Sequence, residues 1–111
     1  MTTSEHPWTD GDNLIAYHLY RFGANSLPMG KPELAKTMGM SVASLNFKIG
    51  NFKAIDGRGG FDGYSQQAVR IFKRYSSVSD AAVTDAALQA VVQALETQMN
   101  TLKDELAKRR Q

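Results

Sequence analysis

The sequence predicts an all-α protein, with a domain of about four short helices followed by one long C-terminal helix. Three observations lead to this prediction. Apolar residues recur at helical spacing, residues that favour helix N-caps precede the apolar segments, and glycines end or separate them. The chain has 111 residues, enough for one small domain with an appendage. We expect a disordered lead-in at residues 1–7, the domain at residues 8–76 and the long helix at residues 80–111.

The first two predicted helices have clear sequence boundaries. Thr9 suits an N-cap with an acidic residue three positions later, and a helical apolar stripe follows through residues 13–22. Gly23 then favours termination. In the second helix, Pro32 suits the first position and Gly39 suits the end.

The next two predicted helices are separated by a glycine-rich connector. Ser41 suits the N-cap of a third helix over residues 42–53, with Leu45, Ile49 and Phe52 on one face. The connector occupies residues 56–63. Ser65 then suits the N-cap of a fourth helix that ends at about residue 75.

The last third of the chain has the spacing of a coiled coil. Ser79 and Thr84 both suit an N-cap, and large apolar residues follow at alternating intervals of four and three. We interpret these residues as the seam of a homodimer. The alternative is an amphipathic helix that folds back on its own domain. The seam residues are Leu88, Val92, Leu95, Met99, Leu102 and Leu106.

Charge is unevenly distributed along the chain. The formal net charge is +2, but residues 31–77 contain eight basic and three acidic residues, a charge of +5. Residues 1–30 carry −2 and residues 78–111 carry −1. The middle of the chain is therefore where a polyanion would bind. The alternative is a solvated surface that is merely basic.

Residues 31–50 carry a helix-turn-helix pattern. Ala35, Gly39 and Leu45 occupy its fifth, ninth and fifteenth places, where close helix contact, a turn and an inner apolar residue are needed. This segment resembles the bihelical DNA-binding unit of phage and bacterial repressors. Lys48 departs from the pattern, because a small or apolar residue is commoner there.

The resemblance implies that the third helix is a recognition helix with its N-terminal residues at base edges. Asn46 suits an adenine edge, and Val42, Ala43 or Phe47 can meet a thymine methyl group. Lysine and arginine side chains nearby suit phosphates. The implied DNA-binding residues are Ser41, Val42, Ala43, Ser44, Asn46, Phe47, Lys48, Lys53 and Arg58.

A second resemblance covers residues 8–75. It rests on the motifs Trp8-Thr9, Leu19-Tyr20-Arg21-Phe22-Gly23, Leu27-Pro28 and Asn51-Phe52-Lys53-Ala54-Ile55-Asp56. Together they are similar to the small N-terminal module of HNH-type restriction-like endonucleases. Gly57 stands where that module usually has proline, and no nuclease motif follows. The resemblance implies target recognition without catalysis.

The sequence favours no enzymatic activity, cofactor or metal. It has no cysteine, and its two histidines, His6 and His18, lack a metal-ligand pattern. We expect His18 to be a half-buried helix residue. Residues 57–63 lack the ending of a phosphate-binding loop. The polar N-terminus and the absence of a long apolar run predict a cytoplasmic protein without a membrane segment.

These observations predict a homodimeric, sequence-specific regulator of transcription that binds double-stranded DNA and is of bacterial or phage origin. The alternative is a phage or defence-associated adaptor or inhibitor that binds a protein partner, such as a nuclease complex.

Overall fold

The computed structural model describes residues 7–110. Apart from Pro7, the predicted lead-in lies outside the described residues, and this includes His6. Five helices and no strand form within this range, which confirms the all-α prediction. No helix in it is both long and apolar enough to cross a membrane. The helices are α1 (Asp10–Phe22), α2 (Lys31–Met38), α3 (Val42–Ile55), α4 (Gln66–Tyr75) and α5 (Asp80–Arg109).

Side-chain caps begin four of the five helices at the predicted positions. Thr9 forms a capping box with Asp12 at the start of α1. Ser41, Ser65 and Ser79 each accept a hydrogen bond from the backbone N–H three residues later. Such caps satisfy backbone donors that have no partner inside the helix.

Helix α1 lies at the centre of the fold. Residues 12–19 are all buried, and α3, α4 and α5 each contact this helix. The Tyr17 ring meets Phe52 of α3 edge to face, with ring centroids 5.5 Å apart, and Phe72 of α4 at 5.9 Å. Helix α1 therefore sets the positions of both neighbouring helices.

The first half of α5 belongs to the same core. Val83, Ala87 and Val91, spaced one turn apart, are 0%, 0% and 7% exposed. The prediction of a helix separate from the domain is therefore wrong for this half. The small side chains at intervals of four let α5 lie close to α1, with which it makes extensive contact.

The second half of α5 projects from the domain. Gln98 Nε2 donates hydrogen bonds of 3.1 and 2.9 Å to the backbone oxygens of Lys36 and Thr37 at the end of α2. Every described residue after Gln98 is exposed. Residues 99–109 extend about 16 Å at the rise of an α-helix.

The predicted seam of α5 is an exposed apolar stripe, which we call the α5 stripe. It comprises the six large apolar residues at positions 88, 92, 95, 99, 102 and 106. Their exposed fractions run from 37% at Leu88 to 70% at Leu102. With a turn of 3.6 residues, the α5 stripe is centred about 100° around the helix from the face that enters the core.

His18 connects α1 to a loop and to α5. Its side chain is fully buried rather than half-buried as expected. Ser26 donates its hydroxyl proton to the Gly23 backbone oxygen, so its oxygen accepts from His18 Nδ1 at 3.1 Å. His18 Nε2 then accepts from the Thr84 hydroxyl at 2.9 Å. Burial first, and then the Arg21 charge, lower the pKa of His18, so the folded state favours the neutral ring.

Acid should weaken the fold through His18. Its contribution to the free energy of unfolding is fully present above the unfolded pKa of about 6.5 and is lost as pH falls toward the lower folded pKa. We expect His18→Gln to cost about 1–3 kcal/mol at neutral pH, because buried hydrogen bonds are lost. Urea unfolding at about pH 7.5 and about pH 5 should show the gap between wild type and variant narrowing in acid. An equal gap at both pH values would contradict this role.

Candidate nucleic-acid interface

Helices α2 and α3 are joined by a three-residue turn, Gly39, Met40 and Ser41. Gly39 adopts the left-handed conformation with φ 78°, and the Met40 N–H donates to the Ala35 oxygen at 2.9 Å. Leu34, Ala35 and Leu45 are at most 1% exposed. The predicted inner residues therefore hold the two helices together beneath the turn.

The outer face at the start of α3 is uncovered. Most of the residues that the sequence assigned to DNA contact lie on it or just beyond the end of α3. Phe47 is 49% exposed and Val42 37%, so neither is a core residue. The exposed members of the predicted set are Ser41, Val42, Ala43, Ser44, Asn46, Phe47, Lys53 and Arg58.

Lys48 is the exception: the sequence assigned its side chain to DNA contact, which requires exposure, and that expectation of exposure is wrong. Its side chain is buried, with Nζ 4.6 Å from the centroid of the Trp8 ring. Burial lowers the pKa of Lys48. The aliphatic stem fills the inner position where the helix-turn-helix pattern prefers an apolar residue, and the indole covers the ammonium group.

Two basic residues of the candidate interface are held by hydrogen bonds. Lys31 Nζ donates to Asn46 Oδ1 at 2.7 Å, which links the start of α2 to α3. Arg58 Nε donates to Asp56 Oδ2 at 2.8 Å. The guanidinium side chain stays 72% exposed, so it is oriented but still accessible to an anion.

Tyr20 orients the Asp56 carboxylate by donating a short hydrogen bond to Oδ2. The Tyr20 hydrogen bond and then Arg58 lower the pKa of Asp56. Burial, followed by the hydrogen bond to Asp56, raises the pKa of Tyr20 to about 12. This cluster therefore fixes Arg58 from within the domain.

Phe61, which the sequence analysis did not single out, lies beside the exposed face of α3. Its ring stacks on Phe47, with centroids 5.3 Å apart and planes at 3°. The Phe61 N–H donates to the Gly50 oxygen at 3.0 Å, and Asn51 Nδ2 donates to the Phe61 oxygen at 2.6 Å. The connector therefore folds back onto α3.

Comparison with known proteins gave no assignment, since no protein family, curated protein or solved structure matches this chain. Within residues 7–110 no group of three or more His, Asp or Glu residues is placed to hold a metal ion.

Gly50 should be required for the docking of Phe61. A Cβ at Gly50 would lie 2.3 Å from Phe61 Cδ2, so Gly50→Ala should displace the ring. We expect a loss of about 0.5–1.5 kcal/mol, the value of an aromatic pair. Denaturant unfolding measures the loss, and the NMR shifts of the Phe61 ring protons report the displacement.

Gly11→Ala is the matched control for this prediction. Gly11 is also helical, but its Cβ would meet Ala90 at an ordinary 3.5 Å. Replacing a helical glycine without strain should stabilise by about 0.4–1 kcal/mol. If Gly50→Ala behaved like Gly11→Ala and left the Phe61 shifts unchanged, the docking would not depend on Gly50.

Proposed function

We propose that this chain binds double-stranded DNA sequence-specifically as a homodimer and regulates transcription in the cytoplasm of a bacterial or phage-infected cell. One observation carries the proposal. Helix α3 follows α2 through a tight turn and keeps the outer face of its N-terminal half uncovered. In bihelical DNA-binding units, this is the face that enters the major groove.

Lys31 and Asn46 suit the reading of base edges as a pair of donors. Because Asn46 Oδ1 already accepts from Lys31, the Nδ2 group remains to donate. Two adjacent donors complement the N7 and O6 acceptors of guanine. The predicted two-point contact with adenine requires the Lys31 bond to open, since it needs both Asn46 Oδ1 and Nδ2.

Lys53 and Arg58 suit phosphates. Lys53 is exposed and forms no ion pair with any described residue. Arg58 is held by one carboxylate but keeps most of its surface in solvent. Basic side chains beside a recognition helix position it on the DNA backbone and make binding sensitive to salt.

The α5 stripe supports the proposed homodimer. One recognition helix reads only a few base pairs, so paired copies gain specificity by binding two half-sites about 34 Å apart. Six large apolar residues with exposed fractions from 37% to 70% lie along a single helix face in a 4-3 spacing. A second copy would cover them in the manner of a short coiled coil.

A protein-binding adaptor is the second candidate. The observation that favours it is the apolar character of the exposed surface, with Phe47 and the α5 stripe both accessible. Aromatic side chains are enriched at the centres of protein interfaces. Binding to duplex DNA decides between the two candidates.

Duplex DNA binding should be direct and salt-sensitive. We expect wild-type protein to shift fragments of bacterial or phage DNA at low micromolar concentration. Lys53→Ala should reduce the slope of log affinity against log salt by about 1, because one phosphate contact is lost. Lys108→Ala removes the same charge from the projecting end of α5 and should leave the slope unchanged. Failure of wild type to bind any fragment in low salt would refute the proposal.

Assembly should depend on the α5 stripe. We expect sedimentation velocity to give a dimer for wild type and a monomer for Leu95→Glu combined with Leu102→Glu, because carboxylates would be buried in an apolar seam. Gln93→Glu combined with Asn100→Asp adds the same charge to exposed positions outside the stripe. That control should remain dimeric. A concentration of about 100 µM lies far above the dissociation constant of a functional dimer. If wild type is still a monomer at this concentration, the homodimer is excluded.

A further inference from the structure

Phe47 and Phe61 form a stacked pair whose rings remain half in solvent. Their exposed fractions are 49% and 52%. We call this pair the aromatic platform. A half-exposed aromatic ring gains only part of the stabilisation that full burial provides, so the stacked pair leaves apolar surface available to a partner.

The aromatic platform is held firmly in place. Gly50 makes room for Phe61, and Asn51, itself 2% exposed, donates to the Phe61 backbone oxygen. Gly60 has φ 83° and lies so close that a Cβ there would be 2.3 Å from the Gly50 oxygen. Gly50, Asn51 and Gly60 together fix the position of the exposed Phe61 ring. A side chain fixed in this way is pre-organised for contact with a ligand.

The net charge of the segment that contains the platform favours a polyanion. The segment from residue 31 to residue 77 carries a formal charge of +5. Lys53 and Arg58 are exposed on the same helix and on the loop that follows it. A purely apolar or neutral partner surface is less suited to this combination than DNA, which exposes base edges in its grooves and phosphates beside them.

Within the major groove, the C5-methyl group of thymine is the apolar group that base pairs present. Phe47 is the sixth residue of α3, in the N-terminal part of the helix that contacts base edges in bihelical units. Stacking extends this apolar surface beyond α3 to a residue of the connector.

We infer that the aromatic platform binds thymine methyl groups in the major groove, and that Phe61 is a specificity-determining residue contributed from outside the helix-turn-helix unit. This inference rests on the proposed DNA binding. It assigns to the platform a preference for thymine over an otherwise identical base that lacks the methyl group.

The test compares one bound DNA fragment prepared with thymine and prepared with uracil at every thymine position. The two duplexes have the same hydrogen-bonding groups and differ in the methyl groups. We expect wild-type protein to bind the uracil duplex about fourfold more weakly for each half-site, and about fifteenfold for two, if one methyl group is buried per platform. Competition band-shift titrations give the ratio of affinities.

Variants of the platform residues test whether the difference in affinity between the two duplexes arises at the platform. Phe47→Ala should bring the ratio close to one, and Phe61→Ala should reduce it at least about twofold, while both keep the salt dependence of binding. Tyr64→Ala is the control, because Tyr64 is an exposed aromatic residue directly after the connector without a stacked partner among the described residues. Its ratio should match wild type. A general effect of uracil on duplex shape would persist in all three variants.

The outcomes separate this inference from the proposed function. If wild type binds no thymine duplex, the proposed DNA binding fails. If wild type binds both duplexes equally, only the inference is overturned. A protein surface is then the remaining candidate partner of the platform. If the ratio survives in both Phe47→Ala and Phe61→Ala, other residues bind the methyl groups and the inference is also overturned. Equal binding of the two duplexes by wild type overturns the inference even if a variant fails to fold.

Discussion

The enclosure of helix α1 is the constraint on which the rest of the structure depends. Residues 12–19 are buried on every side because α3, α4 and α5 pack around this one helix. The Tyr17 ring contacts α3 and α4 at once, and His18 bonds to α5. In a chain of 111 residues, such sharing of one helix yields a continuous core from short elements. The outward face of α3 is uncovered because its inward face is committed to α1.

Features governed by neighbouring residues were predictable from the sequence, whereas those governed by distant contacts were not. The caps at Thr9, Ser41 and Ser65 and the turn at Gly39 each depend on a few adjacent residues. The burial of Lys48 depends on Trp8, forty positions earlier. The sequence therefore did not predict that this lysine side chain is buried. The packing of Phe61 depends on the absence of a side chain at Gly50, which no local pattern records.

Helix α5 carries two apolar patterns, and the stronger one led to the incorrect prediction that the whole helix is separate from the domain. Large apolar residues at positions 88–106 form a regular 4-3 repeat, and they predicted a separate helix. The face that enters the core is made of Val83, Ala87 and Val91, which carry less hydrophobic signal. Close packing favours small residues, so the buried face of a helix can be the weaker one in sequence. One rigid helix thereby connects the core directly to the α5 stripe.

The contact between Trp8 and Lys48 gives the molecule a built-in optical reporter. Trp8 is the sole tryptophan of the chain, and it lines a groove with Ser44, Phe47 and Lys48 at the side of α3. Indole emission responds to polarity and to nearby charge, so its intensity and wavelength depend on the surroundings of α3. Occupation of that surface can therefore be followed by intrinsic fluorescence in the unlabelled native chain. The signal responds to a rearrangement at α3 and not to changes at the distant end of α5, so it distinguishes the two.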